Sequence, residues 1–207
     1  LHAAGVAREG RGLGLCGFSG MGKSTLALHL MNRGLDYVSN DRLLARREGS
    51  GVRMFGVPIL PRINPGTALG NERLGSILSP ERRKAVAAMP LDELWELEEK
   101  YDVFIDEVYG EGRFRLAAPM TALGILNWRR DGTPPRLEEV SLAERPELMP
   151  AFMKEPGLFY EPDGEDVEAR FSEDAYRRAL AGVRVLEISG GVDFERAAAA
   201  CLEALED

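Results

Sequence analysis

The sequence predicts an α/β protein built on a mixed sheet, and three observations lead to this fold class. The short apolar stretch at residues 13–16 runs into a glycine-rich turn and then into a segment with helical periodicity. Other segments with strand character pair into hairpins around glycines, so helices do not follow every strand as a purely parallel sheet requires. The composition, with 44% hydrophobic and 29% charged residues, is that of a globular chain with a buried core.

Composition also excludes several classes of protein. The longest uncharged stretch, residues 116–128, is shorter than the ~20 apolar residues of a membrane-spanning helix and contains Pro119. Residues 1–15 lack the apolar centre of a signal peptide, so we expect a cytoplasmic protein with no membrane partner. Two cysteines, Cys16 and Cys201, are too few for a disulfide scaffold. Because the chain begins with Leu1, we expect further sequence upstream.

The charge is unevenly distributed along the chain. The formal net charge is −8, but residues 1–85 carry 13 basic and 6 acidic residues, whereas residues 86–207 carry 13 and 28. The first part therefore suits phosphate groups. The acidic second part and the 7% aromatic content argue against a nucleic-acid partner. The acidic part is either a solvated surface or a docking surface, and the sequence leaves both open.

The first third of the chain gives the clearest local patterns. Leu26 and Leu30 repeat at helical spacing, which predicts a helix over residues 24–33, and Gly34 is typical of the residue that ends it. Residues 37–39 are predicted to form a strand. Residues 41–47 and 52–56 are predicted to form a hairpin around residues 49–51. Prolines at 58, 61 and 65 indicate an irregular loop that holds Arg62.

The later elements follow from the same rules. Helices are predicted over residues 81–88, 91–101, 173–180 and 194–205, with Pro90 separating the first two. A second hairpin is predicted from residues 103–109 and 113–117 across the Gly110-Glu111-Gly112 turn. Strands are predicted at residues 121–129, 137–142 and 183–188. Residues 143–172 are rich in proline and glutamate and give no prediction.

The glycine-rich turn carries the chemistry, because residues 17–24 fit the P-loop pattern G-x-x-x-x-G-K-[ST] at every fixed position. Glycines let backbone N–H groups turn towards phosphate oxygens, and the following helix adds the positive end of its dipole. Lys23 is expected to reach the β and γ phosphates, and the Ser24 hydroxyl is a ligand that Mg²⁺ prefers. The alternative is an ordinary strand–helix turn. The predicted nucleotide-binding residues are Gly17, Ser19, Gly20, Met21, Gly22, Lys23, Ser24 and Thr25.

Besides the Ser24 hydroxyl, a carboxylate is expected as a metal ligand, since most P-loop enzymes use one. No apolar strand ends in an aspartate of the usual kind. The nearest candidate is Asp41, which follows the strand at residues 37–39. If that strand lies next to the P-loop strand, Asp41 comes to the same sheet edge as Ser24. The alternative is that Asp41 starts a turn, and Asn40 is more often a turn residue than a catalytic one.

Together these residues resemble the catalytic domain of the HPr kinase/phosphorylase family. That family carries a histidine fifteen residues before the first P-loop glycine, which is His2 here, and an Asp-Asp pair where this chain has Asn40-Asp41. The group called HprK-related kinase B is similar in having Asn-Asp at this place and a Pro-Arg-Ile-Asn-Pro-Gly-Thr segment like residues 61–67. The resemblance covers residues 1–67 firmly.

The resemblance implies a P-loop kinase of the phosphoenolpyruvate carboxykinase/HPr kinase fold, with a mixed, barrel-like sheet and residues 1–207 as one catalytic domain. It implies ATP and Mg²⁺ as cofactors, with Ser24 and Asp41 as metal ligands. Arg62 lies where the family has an essential loop arginine, and His2 is a candidate base or phosphate contact. Asn40 occupies the acid/base position, although an amide takes no proton at neutral pH.

The implied reaction is transfer of the γ-phosphoryl group to a hydroxyl of an unidentified acceptor, a protein serine or a small molecule. Members of the family form hexamers, so the resemblance implies that this chain assembles with other copies of itself. Two alternatives stay open. Asn40 and the acidic second part favour a nucleotide-binding regulatory module without phosphoryl transfer, and an ATPase would need no acceptor.

Overall fold

The computed structural model describes residues 1–154 and 167–206, and within these the chain is an α/β protein. Its strands are β1 Ala3–Arg8, β2 Arg11–Cys16, β3 Asp36–Ser39, β4 Leu43–Glu48, β5 Gly51–Gly56, β6 Arg62–Ile63, β7 Tyr101–Asp102, β8 Ala117–Pro119, β9 Ala122–Leu126, β10 Pro135–Glu139 and β11 Arg184–Gly190. Its α-helices are α1 Lys23–Asn32, α2 Pro65–Leu69, α3 Pro80–Ala87, α4 Leu91–Glu96, α5 Ile105–Tyr109, α6 Val167–Arg170, α7 Glu173–Ala179 and α8 Phe194–Glu206. Short 3-10 helices cover Glu72–Ile77 and Pro146–Ala151.

The main sheet has six strands in the order β10-β11-β9-β2-β1-β3. β2, β9 and β11 run parallel, while β1 and β10 run antiparallel to their neighbours, so the predicted mixed sheet is confirmed. β3 is antiparallel to β1 and therefore points the same way as β2. The carboxyl ends of β2 and β3 consequently lie at one edge of the sheet, with the amino end of β1 between them.

Two buried clusters lie on the two faces of this sheet. On one face, apolar residues of β1 and β2 pack against α1 and α8, with Leu26 and Leu30 fully buried. On the other face, the three-stranded sheet β4-β5-β8 and residues 142–152 cover β1, β2 and β9, and Met54 and Phe152 are fully buried there. The sheet edge that carries the P-loop is thus held by packing from both sides.

The elements of the first third largely match their predictions. Helix α1 ends where Gly34, at φ 97°, takes a left-handed conformation that other residues adopt at a cost. The β4–β5 hairpin forms with its first strand beginning at Leu43, two residues later than predicted. The strand β1 was not predicted at all, and it separates β3 from the P-loop strand. The strand before Asp41 therefore does not adjoin β2, and the parallel direction of β2 and β3 is what brings their ends to the same edge.

The second predicted hairpin is also wrong. Residues 105–109 form helix α5, in which Ile105 and Tyr109 are spaced four apart and are both buried. The Tyr109 hydroxyl donates a hydrogen bond to the Leu28 carbonyl of α1 at 3.2 Å, a tertiary contact that favours the helix. Helix α4 ends at Glu96 rather than at residue 101. In the described part of the chain, no helix is long and apolar enough to cross a membrane.

Candidate functional site

Two glycines in the left-handed region shape the loop between β2 and α1. Gly20 and Gly22 have φ values of 81° and 85°, in the left-handed region that glycine adopts readily. A Cβ added to Gly20 would meet no atom within 4 Å, so the space before this residue is open to a ligand. Helix α1 begins without a side-chain cap and without an acidic residue in its first turn. Its first N–H groups are therefore free of side-chain competition for an anion.

The Lys23 side chain lines this loop. It is only 6% exposed, and its ammonium group donates to the carbonyls of Gly17 at 3.0 Å and Phe18 at 3.4 Å. Burial lowers the pKa of Lys23, and the nearby carboxylate of Asp41 opposes this by raising it. An anionic ligand in the loop would offset the same cost of burial, because it favours the charged form of the ammonium.

Ser24 and Asn40 meet although sixteen residues separate them in the chain. The Ser24 hydroxyl donates to Oδ1 of Asn40 at 2.5 Å. Asp41 follows at once, is 62% exposed, and its Oδ1 lies 3.5 Å from Nε2 of His2. Although β1 separates their strands, the sheet edge thus brings together Ser24, Asn40, Asp41 and His2.

The oxygens of this group suit a hard cation. A serine hydroxyl, an amide carbonyl oxygen and a carboxylate are ligands that Mg²⁺ accepts, usually together with phosphate oxygens and water. Among the residues that the structure describes, no group of three or more His, Cys, Asp or Glu side chains could hold a metal ion. The residues present fit Mg²⁺ held jointly with a nucleotide.

His2 is positioned by its own backbone. Its N–H donates to the Phe152 carbonyl at 2.9 Å, and the N–H of Gly17 donates to the neighbouring Ala151 carbonyl at 3.2 Å. The His2 side chain is about one-third exposed. Burial is the main cause that lowers its pKa, and the charge of Lys23 lowers it further, so the imidazole is mostly neutral at pH 7.

The proline-rich segment reaches the P-loop helix through Thr67 rather than through Arg62. The hydroxyls of Thr67 and Thr25 lie 2.9 Å apart and share a hydrogen bond. The guanidinium of Arg62 instead pairs with Asp102 at 3.4 Å, and both side chains are more than half exposed. The structure therefore does not bring Arg62 together with the other candidates, and its catalytic role stays a prediction.

An aromatic group that the sequence did not reveal supports the loop from behind. The indole N–H of Trp128 donates to the Met21 carbonyl at 3.0 Å, and the Trp128 ring meets Phe194 edge-to-face at 5.1 Å. Phe194 lies so close to Gly22 that a Cβ there would come within 2.6 Å of its ring. Gly22 is thus required both by its φ and by this contact. The sequence gives only a weak signal for this group. Trp128 and Phe194 each lie next to an apolar segment, and aromatic residues that only fill the core do the same.

A buried carboxylate was missed as well. Glu187 on β11 is 6% exposed and accepts hydrogen bonds from Asn127 at 2.7 Å and from both Nη atoms of Arg145 at 2.7 and 3.1 Å. Arg145 begins the segment that carries Ala151 and Phe152, so this network holds the backbone that bonds to Gly17 and His2. A glutamate inside an apolar strand was the available signal.

Comparisons with known proteins add little to what the geometry of the site shows. No protein-family model matches the chain, and no curated protein sequence matches it. Among solved structures, the chain is similar to the Hpr(Ser) kinase/phosphatase from Coxiella burnetii, with 12% sequence identity and a TM-score of 0.46. That alignment covers 100% of this chain and 87% of the other.

Proposed function

We propose that this chain is an ATP-dependent kinase of the HPr kinase-like type, closest to the HprK-related kinase B group, with residues 1–207 acting as one catalytic domain. It transfers the γ-phosphoryl group of Mg·ATP to a hydroxyl of a protein serine or a small molecule. The observation that carries the proposal is the meeting of Ser24, Asn40, Asp41 and His2 beside an open glycine loop. The cytoplasmic location and a homo-oligomeric assembly are part of the proposal.

In this proposal, each P-loop residue has a binding role. The N–H groups of the loop and of the first turn of α1 hold the phosphate oxygens, and Lys23 neutralises the β and γ phosphates. Ser24 and Asp41 hold Mg²⁺, which, when bound, neutralises charge on the phosphate oxygens. Asn40 fixes the Ser24 hydroxyl through its amide oxygen. Phosphoryl transfer depends mostly on such positioning and charge stabilisation, so an amide at position 40 is compatible with turnover.

The proton of the acceptor hydroxyl also needs a destination. The acceptor oxygen forms a bond to the γ-phosphorus as the bond from phosphorus to the β–γ bridging oxygen breaks, and ADP leaves. His2 is our candidate to accept the released proton, because its imidazole lies 3.5 Å from Asp41 at the same sheet edge. Arg62 remains a candidate for steadying the transferred group if its segment moves on binding.

One observation favours a second candidate function. The Asn40 amide oxygen is occupied by the Ser24 hydroxyl, and no carboxylate replaces the acid/base group at that position. A nucleotide-binding regulatory module would need the binding residues but no base. Such a protein would bind ATP tightly and release no ADP above background.

The test is ADP production with Mg·ATP, with and without lysate from the source organism. The native protein is compared with Lys23→Ala, Asp41→Ala and Asn40→Asp, and with Lys84→Ala as a control on the exposed face of α3. A kinase predicts ADP that depends on lysate, falls by about 100-fold or more in Lys23→Ala and Asp41→Ala, and is unchanged in Lys84→Ala. Full activity of a folded Lys23→Ala protein would refute the proposal. Tight ATP binding without turnover, with activity gained in Asn40→Asp, would support the regulatory module.

A further inference from the structure

A second lysine lies at the His2 side of the loop, and the backbone places it there. Ala151 and Phe152 bond through their carbonyls to Gly17 and His2, and Lys154 follows two residues later. Two residues span at most about 7 Å, so Lys154 cannot be far from this edge of the site. The hydroxyl of Tyr176 bonds to both the N–H and the carbonyl of Lys154, at 3.0 and 2.9 Å, which fixes its backbone.

The charge of Lys154 is felt by the groups that line the loop. Burial is the main cause that lowers the pKa of Lys23, and the positive charge of Lys154 lowers it further. The pKa of His2 is lowered by burial, then by Lys23, and also by Lys154. Lys154 is a smaller cause than burial in both cases, and it acts on both side chains.

Among the residues that the structure describes, two lysines and one carboxylate act on this part of the site. Lys23 and Lys154 are positive, and Asp41 is the carboxylate that acts on both Lys23 and His2. The Lys154 side chain is exposed and forms no hydrogen bond or ion pair with the other described residues. Like charges held near one another repel, and a bound polyanion would offset that repulsion.

We propose that Lys154 is a second phosphate-binding lysine, whose ammonium group contacts the terminal phosphate of a triphosphate held in the loop beside His2 and Asp41. The proposal rests on the proposed function, because it requires the loop to bind a phosphate chain. The terminal phosphate is the one expected on this side, since Ser24, Asn40 and Asp41 lie there. Lys154 would bind as a point charge, as P-loop lysines do.

The first test labels lysines in the whole protein. The chain has four lysines, and Lys84 and Lys100 are exposed on α3 and after α4, which makes them internal controls. The protein is acetylated with N-hydroxysuccinimidyl acetate, with and without inorganic tripolyphosphate, and each site is quantified by mass spectrometry. We expect labelling of Lys154 to fall several-fold with tripolyphosphate, while the two controls stay unchanged; Lys23 is only 6% exposed and is labelled too slowly to serve as a reporter.

The outcomes separate this inference from the proposed function. Tripolyphosphate binding detected by calorimetry without protection of Lys154 would overturn the role of Lys154 and leave the P-loop function intact. Absence of any tripolyphosphate binding by calorimetry would mean that the loop binds no triphosphate, and both proposals would then fail.

The second test measures affinity for tripolyphosphate by calorimetry. Lys154→Gln is expected to bind about tenfold more weakly and with a smaller dependence on salt, because one charge-assisted contact is lost. Lys84→Gln is the matched control and should bind as the native protein does, and Lys154→Arg should recover most of the affinity because it keeps the charge. Equal affinities for Lys154→Gln and Lys84→Gln, in proteins with equal melting temperatures, would overturn the proposal.

Discussion

Replacement of Gly22 by alanine tests whether the loop conformation is held by the aromatic group behind it. The φ of 85° places residue 22 in the left-handed region, which costs a residue with a Cβ about 1–2 kcal/mol. The new methyl group would also come within 2.6 Å of the Phe194 ring, and forced overpacking of this kind costs about 1–3 kcal/mol. Gly22→Ala should therefore lower the free energy of unfolding by about 2–5 kcal/mol.

Gly20→Ala is the matched control within the same loop. Its φ of 81° carries a similar backbone cost, but the added Cβ would meet no atom within 4 Å. We expect a loss of only about 1–2 kcal/mol of stability. The same methyl group would enter the open space beside the loop, so tripolyphosphate binding should fall although the protein stays folded.

The assay is urea unfolding of Gly22→Ala, Phe194→Leu and the double variant. Phe194→Leu removes the ring that the new methyl group would strike, so the cycle should give an interaction energy of about 1–3 kcal/mol in favour of the double variant. The reasoning would be refuted if Gly22→Ala were no less stable than Gly20→Ala. An interaction energy below about 0.5 kcal/mol would refute it too, since that is the range found for residues that do not touch.

Three further predictions concern Glu187 and Trp128, which support the loop, and the two buried cysteines. Glu187→Ala should lower the free energy of unfolding by about 2 kcal/mol, because it leaves the side chains of Asn127 and Arg145 without their buried acceptor; urea unfolding beside Glu138→Ala, an exposed neighbour on β10, checks this, and equal stabilities would contradict it. Trp128→Phe loses the hydrogen bond to the Met21 carbonyl, so tripolyphosphate should bind several-fold more weakly by calorimetry, and unchanged affinity would show that the indole does not position the loop. Burial raises the pKa of both cysteine thiols, so a disulfide reagent at pH 8 should react with them only after unfolding, and rapid release of two equivalents from native protein would contradict the described core.

The local signals of the loop and its neighbours were sufficient to predict their structure. The glycine spacing, the helical repeat of Leu26 and Leu30, and Gly34 all act within one or two turns of backbone, so the strand–loop–helix unit follows from the sequence. The β4–β5 hairpin follows from its glycine turn in the same way. From the sequence, Asp41 was expected to lie close to Ser24. The structure shows that the direct contact of Ser24 is with Asn40, and tertiary packing decides which of the two neighbouring residues makes it.

Long-range pairing explains the main misses in the fold. β1 consists largely of alanine and glycine, which have low strand propensity, and it is a strand because β2 and β3 pair on either side. The two-residue turn at Glu9 and Gly10, with both φ values positive, was a usable hairpin signal. Helix α5 was mistaken for a strand because its apolar residues fit both periods, and its contact with α1 decides between them.

The bonds from Ala151 and Phe152 to the loop are made entirely by main-chain atoms. Substitutions of Ala151 and Phe152 leave these carbonyls in place, although both residues and Met149 are buried in the core, so replacements that do not fit there cost packing. A one-residue insertion or deletion between residues 149 and 154 would instead shift every carbonyl relative to His2 and Gly17. The expected mutational pattern of this segment is therefore tolerance of substitutions that fit the core, combined with intolerance of length changes. Its length, more than its composition, is what variation in this protein has to preserve.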